Sequence, residues 1–298
     1  VDEQLRVGLI GAGPWAERVH APAIAGHPGS RLVSVWARRP EAAAGLAGAH
    51  GAATASSPEE LISQVDAVAF AVPPEVQAPL AIQAAEAGRH VVLEKPIAGS
   101  LDEARRLADA VDRAGVASLV VLTKRYTPDT REQLERVHAE GGWVGGSVRW
   151  LTGALLSGPY SHSPWRHERG ALDDLGPHVF DLLDAALGPV VEVVAADRSA
   201  HDVWQVVLRH EGGATSTAML TMSLAVSPPV LEVEVYGTAG QRTLTTPATT
   251  PIEAYTNLLD EFAALIDSGK TSHPLDVRRG LHLQSIIAKI RESSTRTP

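Results

Sequence analysis

Residues 5–26, LRVGLIGAGPWAERVHAPAIAG, read as a strand, a glycine turn and a helix in immediate succession, and they decide the architecture of the chain. Leu5, Val7, Leu9 and Ile10 form a short apolar run rich in strand formers. Gly11-Ala12-Gly13-Pro14-Trp15-Ala16 comes directly after it and gives the spacing G-x-G-x-x-A. In that spacing Gly11 permits a tight bend, Gly13 lets the backbone approach a pyrophosphate, and the small Ala16 allows helix to pack closely on strand. Pro14 suits a first helical turn, where its missing N–H would have no acceptor, so the N–H groups of Gly13, Trp15 and Ala16 are left to meet phosphate. A glycine triplet alone is also an ordinary tight turn; the strand before it and the helix after it point to a dinucleotide.

The next strand, Leu32-Val33-Ser34-Val35-Trp36, ends where such folds meet the adenosine ribose. An acidic residue there would hold a 2′-hydroxyl and signal NAD. Ala37-Arg38-Arg39-Pro40 instead offers two guanidinium groups to a 2′-phosphate, so NADP is the expected cofactor and NAD the alternative; solvated loop charges are the plainer account of the same arginines. Helical patterns at 40–50, 58–64, 75–87 and 101–114 alternate with strand patterns at 52–54, 67–72, 90–93 and 116–122, a βαβα order that makes a parallel sheet. Val72-Pro73-Pro74 and Glu94-Lys95-Pro96 end two of those strands at the carboxyl edge of the sheet, where ligands bind.

Tyr126 opens a different region. Residues 132–140 read as a connecting helix, 141–146 as a flexible turn and 146–152 as a strand. Alternating runs at 190–196, 203–209, 214–223, 230–236 and 241–245 predict a mostly antiparallel sheet. The fold class is therefore α/β: a Rossmann domain over 1–123 and a second α/β domain with a mostly antiparallel sheet over 124–298, with the closing helix 276–294 free to pack back on the first.

The whole chain bounds these readings. Its 298 residues suffice for two domains, and 44% hydrophobic with 20% charged residues is a globular composition. A formal charge of −9 argues against nucleic acid and anionic membrane as partners and favours a small molecule. The absence of cysteine removes disulfides, thiolate metal sites and thiol nucleophiles. The opening VDEQLRVGLI lacks a basic, apolar leader, which makes the cytoplasm the expected address.

Four stretches, GAGPWA at 11–16, DAVAFAVPPEVQ at 66–77, AGRHVVLEKPIA at 87–98 and GALDDLGPHVFD at 170–181, together resemble the glucose-fructose oxidoreductase, inositol dehydrogenase and rhizopine catabolism family (Gfo/Idh/MocA). DVRRGLHLQSIIAKIRESS at 276–294 resembles that family's closing helix, so the likeness covers nearly the whole chain. Gln77 stands where the family often has His, Val72 where it often has Thr, and Glu168-Arg169-Gly170 replaces a more glycine-rich run. The stretch between Ala195 and Tyr255 is shorter than usual. The resemblance implies that 124–298 is a substrate-binding and oligomerisation domain with an open sheet, packed as a homodimer or homotetramer. It implies that Lys95 contacts a substrate hydroxyl or carbonyl near the nicotinamide, that the Lys95–Pro96 bond is cis, and that Lys124-Arg125-Tyr126 borders the nicotinamide.

Asp174 and His178 are four apart in LDDLGPHVFDLLD, so on a helix from 174 to 184 they share a face with Asp181. They fit action on one substrate; a structural hydrogen bond and a metal site are the other readings, the last weakened because no further ligands stand at recognisable spacing. Imidazole titrates near neutrality, which suits His178 as proton acceptor, with Lys95 stabilising developing negative charge and Asp174 orienting substrate or imidazole. Tyr160, His162, Trp165, Arg166 and His167 precede that helix as a pocket wall, with Trp165 and Arg166 the substrate-contact candidates. Trp143, Trp150 and Trp165 would suit the C–H face of a sugar, though plain packing accounts for any one of them. No metal is expected. The expected function is that of an NADP-dependent oxidoreductase interconverting a secondary alcohol and a ketone on a sugar, cyclitol or sugar derivative. A cofactor-binding regulator without turnover and a redox-assisted glycosidase are the alternatives.

Overall fold

A computed structural model describes residues 4–238, 240–245 and 248–295. The chain divides into two compact units, one running to Tyr126 and including Thr249–His282, the other formed by Thr127–Ala248 and the residues from Leu283 onward.

The first unit holds β1 (Leu5–Ile10), β2 (Ser30–Trp36), β3 (Ala53–Thr54), β4 (Ala67–Phe70), β5 (His90–Leu93) and β6 (Ser118–Val120). All are parallel, in the order β3-β2-β1-β4-β5-β6, so the direction of winding reverses between β1 and β4. Ligands bind outside the strand ends at such a reversal. β4 is buried at every position and β5 at three of four, as expected for strands covered on both faces. Between the strands lie α1 (Ala21–Gly26), α2 (Pro40–Ala49), α3 (Pro58–Ser63), α4 (Pro74–Glu86) and α5 (Leu101–Ala114). Ser57 and Ser100 cap α3 and α5 by accepting from the N–H groups of Glu60 and Glu103.

α1 is preceded by a π-helical segment, Ala16–His20. Pro22 explains it: Pro22 has no N–H to give the carbonyl of Arg18 and its ring would crowd that group, so the helix widens by one residue and Ala21 N–H reaches Ala16 O instead. β6 is shorter than the run 116–122 suggested, because the chain turns at Leu122, whose N–H bonds back to Val120 O, into a 3₁₀ turn over Thr123–Tyr126.

In the second unit α6 (Pro128–Glu140) starts four residues earlier than its apolar pattern, since Thr127 accepts from Thr130 N–H and Pro128 opens the first turn. β7 (Trp143–Leu151) also starts early and takes in most of the expected flexible turn. After it come α7 (Pro164–Asp174), α8 (Gly176–Leu187), β8 (Val190–Ser199), β9 (Val203–His210), β10 (Thr215–Thr221), β11 (Val230–Gly237) and β12 (Gly240–Leu244). The sheet order is β12-β11-β7-β10-β9-β8, antiparallel throughout except for the parallel pair β7 and β10. Val148, Val206, Leu208, Ala218, Leu220, Val233 and Val235 face inward, while Arg149, Gln205, Thr217 and Glu232 alternate to the exposed face. α9 (Pro251–Asp267) belongs to the first unit. α10 (Val277–Ser294) gives it Val277–His282 and gives the rest of its length to the second. No helix among the described residues is long and apolar enough to cross a membrane.

Candidate active site

Gly11 leaves β1 with φ +124°, and its N–H donates to Trp36 O at 2.8 Å. A Cβ there would lie 2.3 Å from Ala71 O, so only glycine makes this bend. A Cβ on Gly13, by contrast, would meet nothing within 4 Å. Ala16 is fully buried, and Glu17 N–H closes onto Gly13 O at 3.0 Å, which leaves the N–H groups before it without an intrahelical acceptor. An open approach above Gly13 beside unsatisfied donors fits a dinucleotide pyrophosphate. At the end of β2, Ala37 is half-buried while Arg38 and Arg39 are exposed, with no side-chain partner among the described residues.

Val72 and Pro73 come after β4, and the carbonyl of Pro73 accepts from Val76 and Gln77 as α4 begins. Glu94 and Lys95 come after β5, and the Lys95–Pro96 bond is cis. Gln77, fully buried, holds this turn through both ends of its amide. Its Oε1 accepts from Glu94 N–H at 2.8 Å, and its Nε2 donates to Glu94 O at 2.8 Å and Ile97 O at 3.0 Å. An imidazole could not supply that combination, so the departure at Gln77 is a working part of the turn. Glu94 Oε1 in turn accepts from Trp15 Nε1 at 2.7 Å and lies 2.8 Å from His20 Nε2, while Oε2 accepts from Lys95 N–H at 3.2 Å. The π-helical segment thus delivers a fully buried His20 to the same carboxylate that the glycine turn contacts through Trp15.

The His20 ring packs against Tyr255 with centroids 4.5 Å apart, and burial together with the Glu94 charge pushes the Tyr255 phenol well up. Nothing in the residue pattern marks His20 or Tyr255; Gln77 is visible there only as a departure from the resembling family. Lys124 stands on the 3₁₀ turn after β6, and burial pushes its ammonium down. Tyr126 is buried, and its hydroxyl donates to Val120 O at 3.1 Å, which ties it into the core of this unit.

The remaining candidates lie in the second unit. The expected helix 174–184 is divided: α7 ends at Asp174, Leu175 is helical in φ and ψ, and α8 begins at Gly176. His178 and Val179 both donate to Leu175 O, so the spacing of Asp174 and His178 remains close to helical. The real break is earlier, at Gly170, with φ 73° and ψ −162° inside α7. Asp174 pairs with Arg166, Nε to Oδ2 at 3.1 Å, and the guanidinium lies 4.4 Å from the Tyr160 ring centroid and 4.5 Å from that of Trp165. Its neighbour Asp173 pairs in another direction with Arg291 of α10. His178 is buried at 8% exposure, 5.9 Å from Trp150 between ring centroids. Trp165 is half-buried beside Arg166. Among the described residues no three His, Asp or Glu side chains gather as metal ligands.

Comparison with known proteins settles the lineage. Residues 5–122 match the oxidoreductase family with an NAD-binding Rossmann fold, and residues 141–242 match the GFO/IDH/MocA C-terminal domain. The chain belongs to the Gfo/Idh/MocA family. It is 31% identical over 207 residues to levoglucosan dehydrogenase of Pseudarthrobacter phenanthrenivorans, a match covering 62% of this chain and 52% of that protein. The match thus spans about half the length of that relative. Inositol 2-dehydrogenase of Rhizobium meliloti is 26% identical over 91% of each chain. The WlbA dehydrogenase of Bordetella pertussis, solved with NADH and UDP-GlcNAcA, is 27% identical at a TM-score of 0.83, covering 99% of this chain and 97% of that one. As a Gfo/Idh/MocA protein the chain has its family's two-part construction, a parallel Rossmann sheet and a mixed, mostly antiparallel second sheet.

Proposed function

We propose that this protein is an NADP(H)-dependent oxidoreductase that interconverts a secondary alcohol and a ketone on a sugar, cyclitol or sugar derivative. The observation that carries this is the Glu94 carboxylate, which takes hydrogen bonds from Trp15 of the glycine turn and from the backbone of Lys95. A cofactor cradled at Gly11–Ala16 is thereby tied to a turn bearing a cationic side chain. The relatives named dehydrogenases of levoglucosan and inositol support the carbohydrate class. Arg38 and Arg39, exposed at the end of β2 where a carboxylate would favour NAD, support NADP instead. When bound, NADP⁺ supplies the hydride acceptor.

The chain's own residues supply the rest. His178 takes the hydroxyl proton during oxidation and returns it during reduction. Lys95, as an ammonium, stabilises the negative charge that develops on the oxygen. Asp174, fixed by Arg166, orients the reacting group through its carboxylate. Trp165 and Arg166 contact the substrate ring. The exposed face of the second sheet, with a cavity of about 740 Å³ lined by Arg149, Gln205, Thr217 and Met219 among others, supports a homodimer or homotetramer packed through it.

The test is a screen of sugars, cyclitols and nucleotide sugars with NADP(H) and NAD(H), following absorbance of the nicotinamide. Turnover with NADP(H) preferred is the expected result. Tight cofactor binding with no turnover on any of them would replace this reading with that of a regulator.

A further inference from the structure

The short hairpin loop between β8 and β9 contains His201 at φ 58° and Asp202 at φ 53°, the two non-glycine residues with positive φ among the described residues. Two successive residues at positive φ are met at least cost by glycine or asparagine. The turn therefore explains the conformation but not the choice of Asp202. Its carboxylate does. Oδ2 accepts from Ala171 N–H at 2.6 Å, while Oδ1 accepts from Trp204 Nε1 and Arg198 Nε at 2.9 Å each.

Trp204 is buried in the unit's core, so the carboxylate is anchored there on one side and reaches the break in α7 on the other. A Cβ on Gly170 would lie 2.2 Å from Asp202 Oδ2, which shows how closely the two segments meet. Thr221 Oγ1 donates to His201 O at 2.9 Å and holds the loop from the adjacent side. Ala171 opens the stretch that carries Asp174, and through Leu175 the one that carries His178, so its N–H is a helix-start donor satisfied from 31 residues away.

We infer that Asp202 is a positioning residue: by capping Ala171 from a strained hairpin, its carboxylate sets where the Ala171–Leu187 stretch begins and thereby the placement of Asp174 and His178. Strain held in a non-glycine turn is retained where the surrounding structure uses it, and here the use is this cap. The inference rests on the reading of His178 as the proton-transfer group.

The first variant is Asp202→Gly, which accepts the left-handed conformation at 202 and removes the carboxylate from Ala171 N–H, Trp204 Nε1 and Arg198 Nε together. Asp202→Gly is expected to lower kcat about tenfold to a hundredfold, the scale of a small misplacement of a reacting group, with the Kd for NADP(H) unchanged. The His178 resonance in protein labelled with ¹³Cε1-histidine, assigned by its loss in His178→Ala, should move. Asp202→Asn, which tolerates the turn and keeps one oxygen for Ala171 N–H while its NH₂ group faces Trp204 Nε1 and Arg198 Nε, should recover part of the loss. His201→Asn, altering the strained neighbour alone, should leave kcat at the parent value. An unmoved His178 resonance in Asp202→Gly, or a kcat loss no greater than the unfolded fraction, would overturn the inference. The resonance needs no substrate, so it separates failure here from failure of the catalytic reading, which His178→Ala with normal hydride transfer would reveal.

Discussion

The cofactor side of this protein and the side carrying Asp174 and His178 are built by different means. In the first unit the candidate groups stand at consecutive strand ends: Gly11 after β1, Val72 and Pro73 after β4, Lys95 after β5. Sheet order alone brings those ends to one edge, and side chains then refine the arrangement. In the second unit the candidate groups ride on a helical stretch whose start is fixed by side chains from remote segments. Asp202 reaches Ala171, Arg291 reaches Asp173, and Arg166 returns to Asp174. Backbone topology tolerates the loss of a side chain better than a network of side chains does, so the two units should respond differently to substitution.

The largest test removes one chemical group from each side. Lys95→Met and His178→Ala should each lower hydride transfer by about 100- to 10,000-fold, the usual cost of losing a group that moves or stabilises charge in the reaction. Both should leave NADP(H) affinity near the parent value, because neither touches the glycine turn. Single-turnover absorbance and a fluorescence titration of cofactor measure the two quantities separately. Near-normal hydride transfer in either variant would show that the proton or the charge is handled elsewhere.

Next comes the first unit's own dependence on a side chain, at Gln77. Gln77→Leu keeps the volume but leaves the carbonyls of Glu94 and Ile97 and the N–H of Glu94 without their partner. Unsatisfied buried groups of this kind cost about 1–3 kcal/mol each, so a stability loss of about 3 kcal/mol is expected in urea unfolding. If strand ends alone held the Lys95 turn, the loss would be negligible and the contrast between the units would sharpen.

The same contrast explains what the residue pattern reveals. The Rossmann half is legible because strand, glycine turn and helix succeed one another within 5–26, and because Arg38 and Lys95 are identified by their distance from a strand end. The open second sheet is legible from alternation at 203–209 and 214–223. His20 is not, because a π-helical segment has no residue pattern of its own; only Pro22, inside a helical pattern, hints at irregularity. Asp202 is not, because its partner Ala171 is 31 residues away and an N–H donor carries no side-chain signature. The break at Gly170 shows in the sequence as a departure in composition, not as a helix start.

Arg38→Ala tests the proposed 2′-phosphate contact, which rests on an exposed side chain at the end of β2. Losing a charge-assisted bond to a 2′-phosphate at an exposed position should weaken NADP(H) about tenfold and leave NAD(H) unchanged. Titration of both cofactors on both proteins gives the ratio, and equal affinities in the parent would end the NADP assignment.

The smallest effect concerns the amino end of β5, which His90 opens while Lys95 lies beyond its carboxyl end. Burial pushes the His90 imidazole below the ordinary value of about 6.5, the nearby Asp66 offsetting part of this. Its Nδ1 accepts from Ala117 N–H at 3.0 Å, a bond that a proton on that nitrogen would remove. The folded state therefore binds fewer protons than the unfolded state just below pH 6.5, and stability must fall as the pH is lowered through that window. Above it both states are neutral at this residue and the full contribution is present. His90→Asn, whose side-chain oxygen can still accept from Ala117, should flatten this part of the profile while leaving stability at pH 8 little changed. Urea unfolding at pH 8, 6.5 and 5.5 on both proteins gives the difference directly. A parent and variant that lose stability in parallel would mean that the acid sensitivity lies with other groups.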